Sequence, residues 1–286
     1  MSRSLTALFL ALLPGLFLLV AADDQTIRAT EKSQLITTSK GDLPLILSAP
    51  HGGRKRIPGV EPRTGDGIKR FVDRTDLWTA ELTENLANEI EETTGKRPYV
   101  VIANFHRKYV DANRRPVLAY ESPKAQATYD SYHAALAKAK ADVTKRFGRG
   151  LVIDIHGQAT LLDTIIRGTQ NGKTVAHLVE KFGNESHLGR TSLFGRLAGN
   201  DFQINPQVDS NEREHLKFTG GYITQKYGSM NGGTVDAIQL ELGKNLRHPE
   251  KSAKNAQRLS KAIVAFAKDY LPSKELKKIQ VGVYLD

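Results

Sequence analysis

Leu151-Val152-Ile153-Asp154-Ile155-His156-Gly157 reads as a buried strand that ends on a histidine and a glycine. A short, nearly continuous apolar run closed by a turn residue fits a strand covered on both faces. An earlier segment has the same form: Leu43-Pro44-Leu45-Ile46-Leu47-Ser48 leads into Ala49-Pro50-His51-Gly52-Gly53. Pro98 to Ala103, Asp163 to Arg167 and Ala237 to Leu242 supply three more apolar runs. Helical spacing separates them. Leu77, Ala80, Leu82, Leu86, Ala87 and Ile90 predict a helix from Asp76 to about Glu92, with Asp76 as its cap or in its first turn. Residues 122–147 are rich in Ala and Lys with a helical period, and Lys251 to Tyr270 predicts a closing helix. Strands alternating with helices predict an α/β fold, a three-layer sandwich around a central, mostly parallel but mixed sheet. Neither a repeat nor a linker follows residue 30, so a single domain is expected.

Residues 1–22 read differently. Arg3 is followed by an apolar run from Leu5 to Val20, interrupted by Pro14, and Val20-Ala21-Ala22 ends in small residues before Asp23-Asp24. This is the pattern of a secretory signal peptide cleaved near Ala22, so residues 23–286 are expected as the mature, secreted or periplasmic protein without a stable membrane anchor. The 286 residues contain no Cys, which excludes disulfides, cysteine-ligated metals and a thiol nucleophile. Any metal must be held by His, Asp or Glu. The formal net charge is +10, from 41 Lys and Arg against 31 Asp and Glu. A non-catalytic protein that binds anionic surfaces is therefore a second function class. Its basic residues are scattered, with clusters only at Arg54-Lys55-Arg56, Arg107-Lys108 and Lys274 to Lys278, and no aromatic stacking motif accompanies them. Nucleic acid is not expected as a partner.

Ligands of open α/β sheets sit beyond the carboxyl ends of strands. Three such ends carry chemistry here: His51, His156, and Glu241 between Leu240 and Leu242. Two histidines and a carboxylate brought together by a sheet form a catalytic metal site. The chain has no G-x-S-x-G, Walker, G-x-G-x-x-G or H-E-x-x-H motif. His177-Leu178-Val179-Glu180 reads as a helix-face packing feature, and Asp154 as structural support on the side of its strand opposite His156.

Five motifs occur in order: Ser48-Ala49-Pro50-His51-Gly52-Gly53, Asp76-Leu77-Trp78-Thr79-Ala80-Glu81-Leu82, Tyr109-Val110-Asp111-Ala112-Asn113-Arg114, Ile153-Asp154-Ile155-His156-Gly157, and Ile238-Gln239-Leu240-Glu241-Leu242. This set resembles the N-formylglutamate amidohydrolase-like family, whose fold is similar to that of the zinc carboxypeptidases. The resemblance covers roughly residues 43–247. It implies one zinc ion per chain, with His51 and His156 as ligands and an acidic ligand between them. Asp76 fits the D-x-x-T-x-x-L pattern, with Asp73 as its rival. Position 54, where a carboxypeptidase-type acidic ligand would stand, is Arg.

The resemblance further implies that Asn113 and Arg114 grip a substrate carboxylate, for which a guanidinium fork is suited. Asp111 pairing with Arg107 or Arg114 in a structural turn is the alternative, and Arg115 is either solvated or a substitute anchor. Arg167 is a further candidate for substrate binding. Glu241 matches the general base and acid. The expected function is a zinc-dependent hydrolase of an amide bond next to a carboxylate, acting on an N-acyl amino acid or a short peptide. A carboxypeptidase-like peptidase or a cell-wall amidase is the alternative within the same class. Oligomeric state is not specified by the sequence.

Overall fold

The structure is a computed structural model that describes residues 34–210, 212–272 and 276. The leader expected over residues 1–22 lies outside them, as does the start of the expected mature chain. Seven strands are described: β1 (Ile36–Ser39), β2 (Leu45–Ala49), β3 (Tyr99–Ala103), β4 (Gly150–Gln158), β5 (Thr164–Gly168), β6 (Gln203–Asn205) and β7 (Val235–Gly243). They form one sheet in the order β1-β3-β2-β4-β7-β5-β6. The inner strands β3, β2, β4 and β7 run parallel. Outside them β1 and β5 run antiparallel to their inner neighbours, and β6 runs parallel to β5. The sheet is thus mixed and mostly parallel, as its apolar runs imply.

The helices are α1 (Thr79–Thr94), α2 (Pro116–Ala119), α3 (Gln126–Phe147), α4 (Ala176–Phe182), α5 (Glu185–Leu188), α6 (Leu193–Ala198), α7 (Tyr222–Tyr227) and α8 (Pro249–Tyr270). They cover both faces. On one side α1 and α8 pack on the sheet, and their core joins Leu82, Leu86 and Ile90 to Leu47, Ile153 and Leu240. On the other side α3 contributes Tyr129, Tyr132 and Leu136 to a second core with Ile46, Val101 and Val152. Each fully buried Leu or Ile contributes roughly 1.5–3 kcal/mol. Helix propensities differ by less than about 1 kcal/mol among ordinary residues. Packing therefore decides α1, which holds Thr83, Thr93 and Thr94 without breaking and stops at Gly95 in the left-handed region (φ 67°).

Strand periodicity sorts the two faces. On β4, Leu151, Ile153 and Ile155 enter the α1/α8 core and Val152 enters the α3 core. Asp154 and His156 share the parity of Val152 and so face the α3 side together. The expectation that Asp154 points away from His156 is thus corrected, because residues i and i+2 of a strand share a face.

Two further expectations shift. The first long helix begins at Thr79, not Asp76, because Trp78 takes a left-handed conformation (φ 67°) that interrupts the helix. Asp76 ends up in the turn before the helix, its carbonyl accepting from Thr79 Oγ1 at 2.8 Å, with its carboxylate left for other work. The edge strands β1 and β6 were not visible in the sequence because Ile-Thr-Thr-Ser and Gln-Ile-Asn are short and largely polar. The Gly-Gly after His51 is a packing requirement. A Cβ on Gly52 would stand 2.4 Å from Ala80 N, and one on Gly53 2.2 Å from the Asn104 carbonyl carbon. Only glycine lets this loop pass between α1 and the end of β3.

Candidate metal centre and substrate cavity

The parallel strands β2, β4 and β7 end at one place. His51 stands two residues beyond β2, and His156 and Glu241 are directly paired in the β4/β7 register. Neighbouring strands hold such pairs side by side, about 4.8 Å apart. Asp76 enters from the turn ahead of α1. All four side chains are buried.

Three of them converge. His51 Nδ1 lies 3.1 Å from His156 Nδ1. Asp76 Oδ2 lies 3.2 Å from His156 Nδ1 and 3.4 Å from His51 Nδ1. The opposite edge of each ring is held by a carboxylate. His51 Nε2 donates to Asp111 Oδ1 at 2.7 Å, and His156 Nε2 donates to Asp154 Oδ2 at 2.8 Å. With Nε2 the donor in both rings, both Nδ1 atoms present lone pairs. Two lone pairs and a carboxylate oxygen at 3.1–3.4 Å need positive charge between them, either a shared proton or a cation. Zinc–nitrogen bonds near 2.05 Å in tetrahedral array place ligand atoms about 3.3 Å apart. The donor set, its spacing and its carboxylate backing all fit such an ion. Asp73 is exposed and outside this group.

The charges are strongly coupled. Burial would raise the Asp76 carboxyl, but the two imidazoles and the Arg107 guanidinium outweigh it and hold it well below the usual carboxylate range. Burial also opposes ionisation of Asp111, where Arg107 and His51 prevail and keep it charged. His156 is disfavoured as a cation by burial, yet Asp154 and Asp76 push it well above an ordinary histidine. Glu241 behaves in the opposite sense. Burial pushes it up to about 7, only partly countered by His156. Its Oε1 accepts from Gln239 Nε2 at 2.8 Å.

Asp111 serves two functions at once. Its Oδ1 accepts from His51 and from the Asn113 N–H at 3.0 Å, while its Oδ2 accepts from Arg107 Nε and Nη2 at 3.0 and 2.7 Å. The structural pairing with Arg107 that the sequence allowed is present, and the contact with His51 is added to it. Asn113 is buried and occupied. Its Oδ1 accepts from Ile223 N–H at 2.8 Å and its Nδ2 lies 3.1 Å from His156 Nε2.

His51, Asp76, Arg107, Asn113, His156 and Glu241 line a cavity of about 360 Å³. Arg114 reaches it with a side chain 35% exposed, 3.6 Å from Asp111 Oδ2. Arg115 is exposed and lines a separate recess with Tyr222. Arg167 is not brought to the cavity. In register it opposes Leu240, so it lies on the face away from Glu241, where its Nε donates to buried Glu214 at 3.2 Å. Sequence reading counted its position on the strand after His156, and the register of that strand against β7 decides otherwise.

Several lining residues were missed, among them Gln239, Arg247, Arg74 and Lys217. Gln239 lies two residues before Glu241 and was legible by parity. Arg247 lines the cavity but donates to the carbonyls of Leu77, Gln158 and Leu242. Arg74 and Lys217 also line it, and among the described residues neither side chain has a charged or hydrogen-bonding partner. Both lie on irregular segments that carry no sequence signal.

No protein-family model matches the chain, and no curated protein matches it. Among solved structures the chain is similar to N-formylglutamate amidohydrolase from Ralstonia eutropha, with a TM-score of 0.56 at 14% identity, over 83% of this chain and 98% of that one. A gene product from Agrobacterium tumefaciens gives a TM-score of 0.56 at 11% identity, over 84% of this chain and 98% of that one. At such identities the likeness speaks for the fold, and the fold is that of N-formylglutamate amidohydrolase, as the five sequence motifs imply.

Proposed function

We propose that the protein is an exported, zinc-dependent hydrolase that cleaves the amide bond of an N-acyl amino acid. The observation that carries this reading is the pairing of a three-acceptor cation cluster with a buried carboxyl on the adjacent strand. His51, Asp76 and His156 would hold the ion, which supplies Lewis-acid polarisation of the scissile carbonyl and of the attacking water. Glu241, with a pKa of about 7, accepts a proton near neutrality and can return it. It takes the proton of the attacking water and delivers it to the leaving nitrogen. Hydroxyl thus ends on the acyl carbon and hydrogen on the amine. Gln239 fixes the Glu241 carboxyl in place, while Asp111 and Asp154 hold the imidazoles in one tautomer. Arg114 faces the cavity with a guanidinium suited to a carboxylate. The apolar leader of residues 5–20 supports export.

The test is a hydrolysis screen of N-acyl amino acids on zinc-loaded protein, beside the Glu241→Gln variant and a measurement of bound metal. The expected result is about one zinc per chain in both proteins and a loss of roughly 10²–10⁴ in kcat for the variant. A wild-type protein that binds zinc but cleaves no member of the screen refutes the reading. Loss of zinc in Glu241→Gln refutes the role given to Glu241.

A further inference from the structure

Leu216 is 83% exposed, yet the segment that carries it is fastened on both sides. Ahead of it, buried Glu214 accepts from the N–H groups of Thr169 and Asn171, each at 2.9 Å, and from Arg167 Nε at 3.2 Å. Behind it, Gln170 N–H donates to Thr219 O at 2.6 Å and Gly221 N–H donates to Gln239 Oε1 at 2.8 Å. Between these anchors Lys217 and Phe218 line the catalytic cavity. Val72 lines it too and is itself exposed.

The remaining exposed large hydrophobics among the described residues are Leu77, Val117, Leu118, Leu161 and Leu162. Each is within four residues of a cavity-lining residue, namely Asp76, Arg114 or Ala159. Exposed apolar side chains scattered singly need no explanation, but Val72 and Phe218 both line one cavity, and Leu216 adjoins Lys217, which lines it too. Arg74 and Lys217 stand beside Val72 and Leu216 in sequence and bring positive charge to the same segments. Apolar surface interleaved with cations suits an amphiphilic anion. The cavity of about 360 Å³ lies within the usual range for small-molecule ligand pockets.

We propose that the substrates are N-acyl amino acids with a long apolar acyl chain, and that the chain lies on a rim formed by Val72, Leu216 and Phe218. This rests on the amide-hydrolase reading. Water adds hydroxyl to the acyl carbon as the C–N bond breaks, the nitrogen gains the proton, and a fatty acid and a free amino acid leave.

The experiment measures kcat/KM for the N-formyl, N-acetyl, N-hexanoyl and N-decanoyl forms of one amino acid, with wild type and with Leu216→Ser. In parallel, N-acetyl and N-decanoyl forms are titrated calorimetrically into the Glu241→Gln protein. The expected result is a rise of about tenfold or more in kcat/KM and in affinity from acetyl to decanoyl, flattened severalfold by Leu216→Ser. Cleavage of the short members with no gain along the series overturns the inference and leaves the amide-hydrolase reading standing. If no member is cleaved, that reading fails, and equal affinities in the titration overturn the inference independently. A preference for apolar peptides over acyl chains of equal length also overturns it.

Discussion

Replacing Asp111 by Asn changes one atom of a carboxylate and forces a choice between two failures. The carboxylate is buried, and its two oxygens have separate duties. Oδ1 accepts from His51 Nε2 at 2.7 Å and Oδ2 accepts twice from Arg107. If the new amide keeps its oxygen toward His51, its NH₂ group faces the Arg107 guanidinium, donor against donor, and a buried cation loses its main counter-charge. Breaking a buried pair in this way costs about 3–5 kcal/mol. If the amide turns round, its NH₂ faces His51, which must then accept at Nε2 and carry its proton on Nδ1, the atom aimed at the cation cluster. Removal of such a backing carboxylate typically lowers metal affinity 10–100-fold, or about 1.4–2.8 kcal/mol. Competition with a chromophoric chelator reads zinc affinity, and thermal unfolding in excess EDTA reads the cost to the metal-free fold. At least one of these must move by the stated amount. A variant within twofold of wild type in zinc affinity and within 1 °C in Tm refutes both the tautomer argument and the Arg107 pairing.

Three further outcomes are expected. Alanine at Gly221 would place its Cβ 2.1 Å from Asn113 Nδ2, displacing a side chain that adjoins His156; kcat/KM should fall by up to about a hundredfold with zinc retained, and an unchanged rate refutes the fixed position of Asn113. Arg167→Met strips the charge partner from buried Glu214 and should destabilise by roughly 3 kcal/mol without altering zinc affinity; lost hydrolysis at unchanged Tm would instead return Arg167 to substrate binding. Burial lowers His133 to about 4 and His187 to about 3, each further depressed by a nearby cation, Lys226 or Arg167. The unfolded histidines protonate near 6.5, so their stabilising effect is complete above that pH and fades as pH falls toward the folded values, at on the order of 1 kcal/mol per pH unit for each. Urea midpoints at pH 7.5 and 5.5 should differ accordingly, and equal midpoints refute it.

His51, His156 and Glu241 were legible because each sits at or beyond the end of an apolar run, and strands of one parallel sheet end together. Asp76 was legible only through the family resemblance, on the D-x-x-T-x-x-L pattern, and its freedom from helix capping depends on the backbone of Trp78, which no pattern announces. Parity alone would have put Asp154 beside His156, whereas the face taken by Arg167 depends on the β5/β7 register. The second function of Asp111 was not legible. A carboxylate two residues from Asn113 and four from Arg107 satisfies local pairing without any reference to His51, sixty residues away. Lys217 and Arg74 belong to irregular segments whose course is set by distant anchors such as Glu214.

The β4/β7 register has a consequence for how such a protein can diversify. His156 and Glu241 are neighbours across a parallel ladder that runs from Gly150 and Val235 to Gln158 and Gly243. Their separation belongs to the sheet and is indifferent to the segments around the cavity. His156 and Glu241 are held by the frame, whereas Arg74, Leu216 and Lys217 belong to the connections. Those connections can be exchanged, lengthened or recharged while the pairing of His156 with Glu241 stays as it is. A transplant of residues 215–218, between the anchors at Glu214 and Thr219, is therefore a route to altered recognition at an unaltered site.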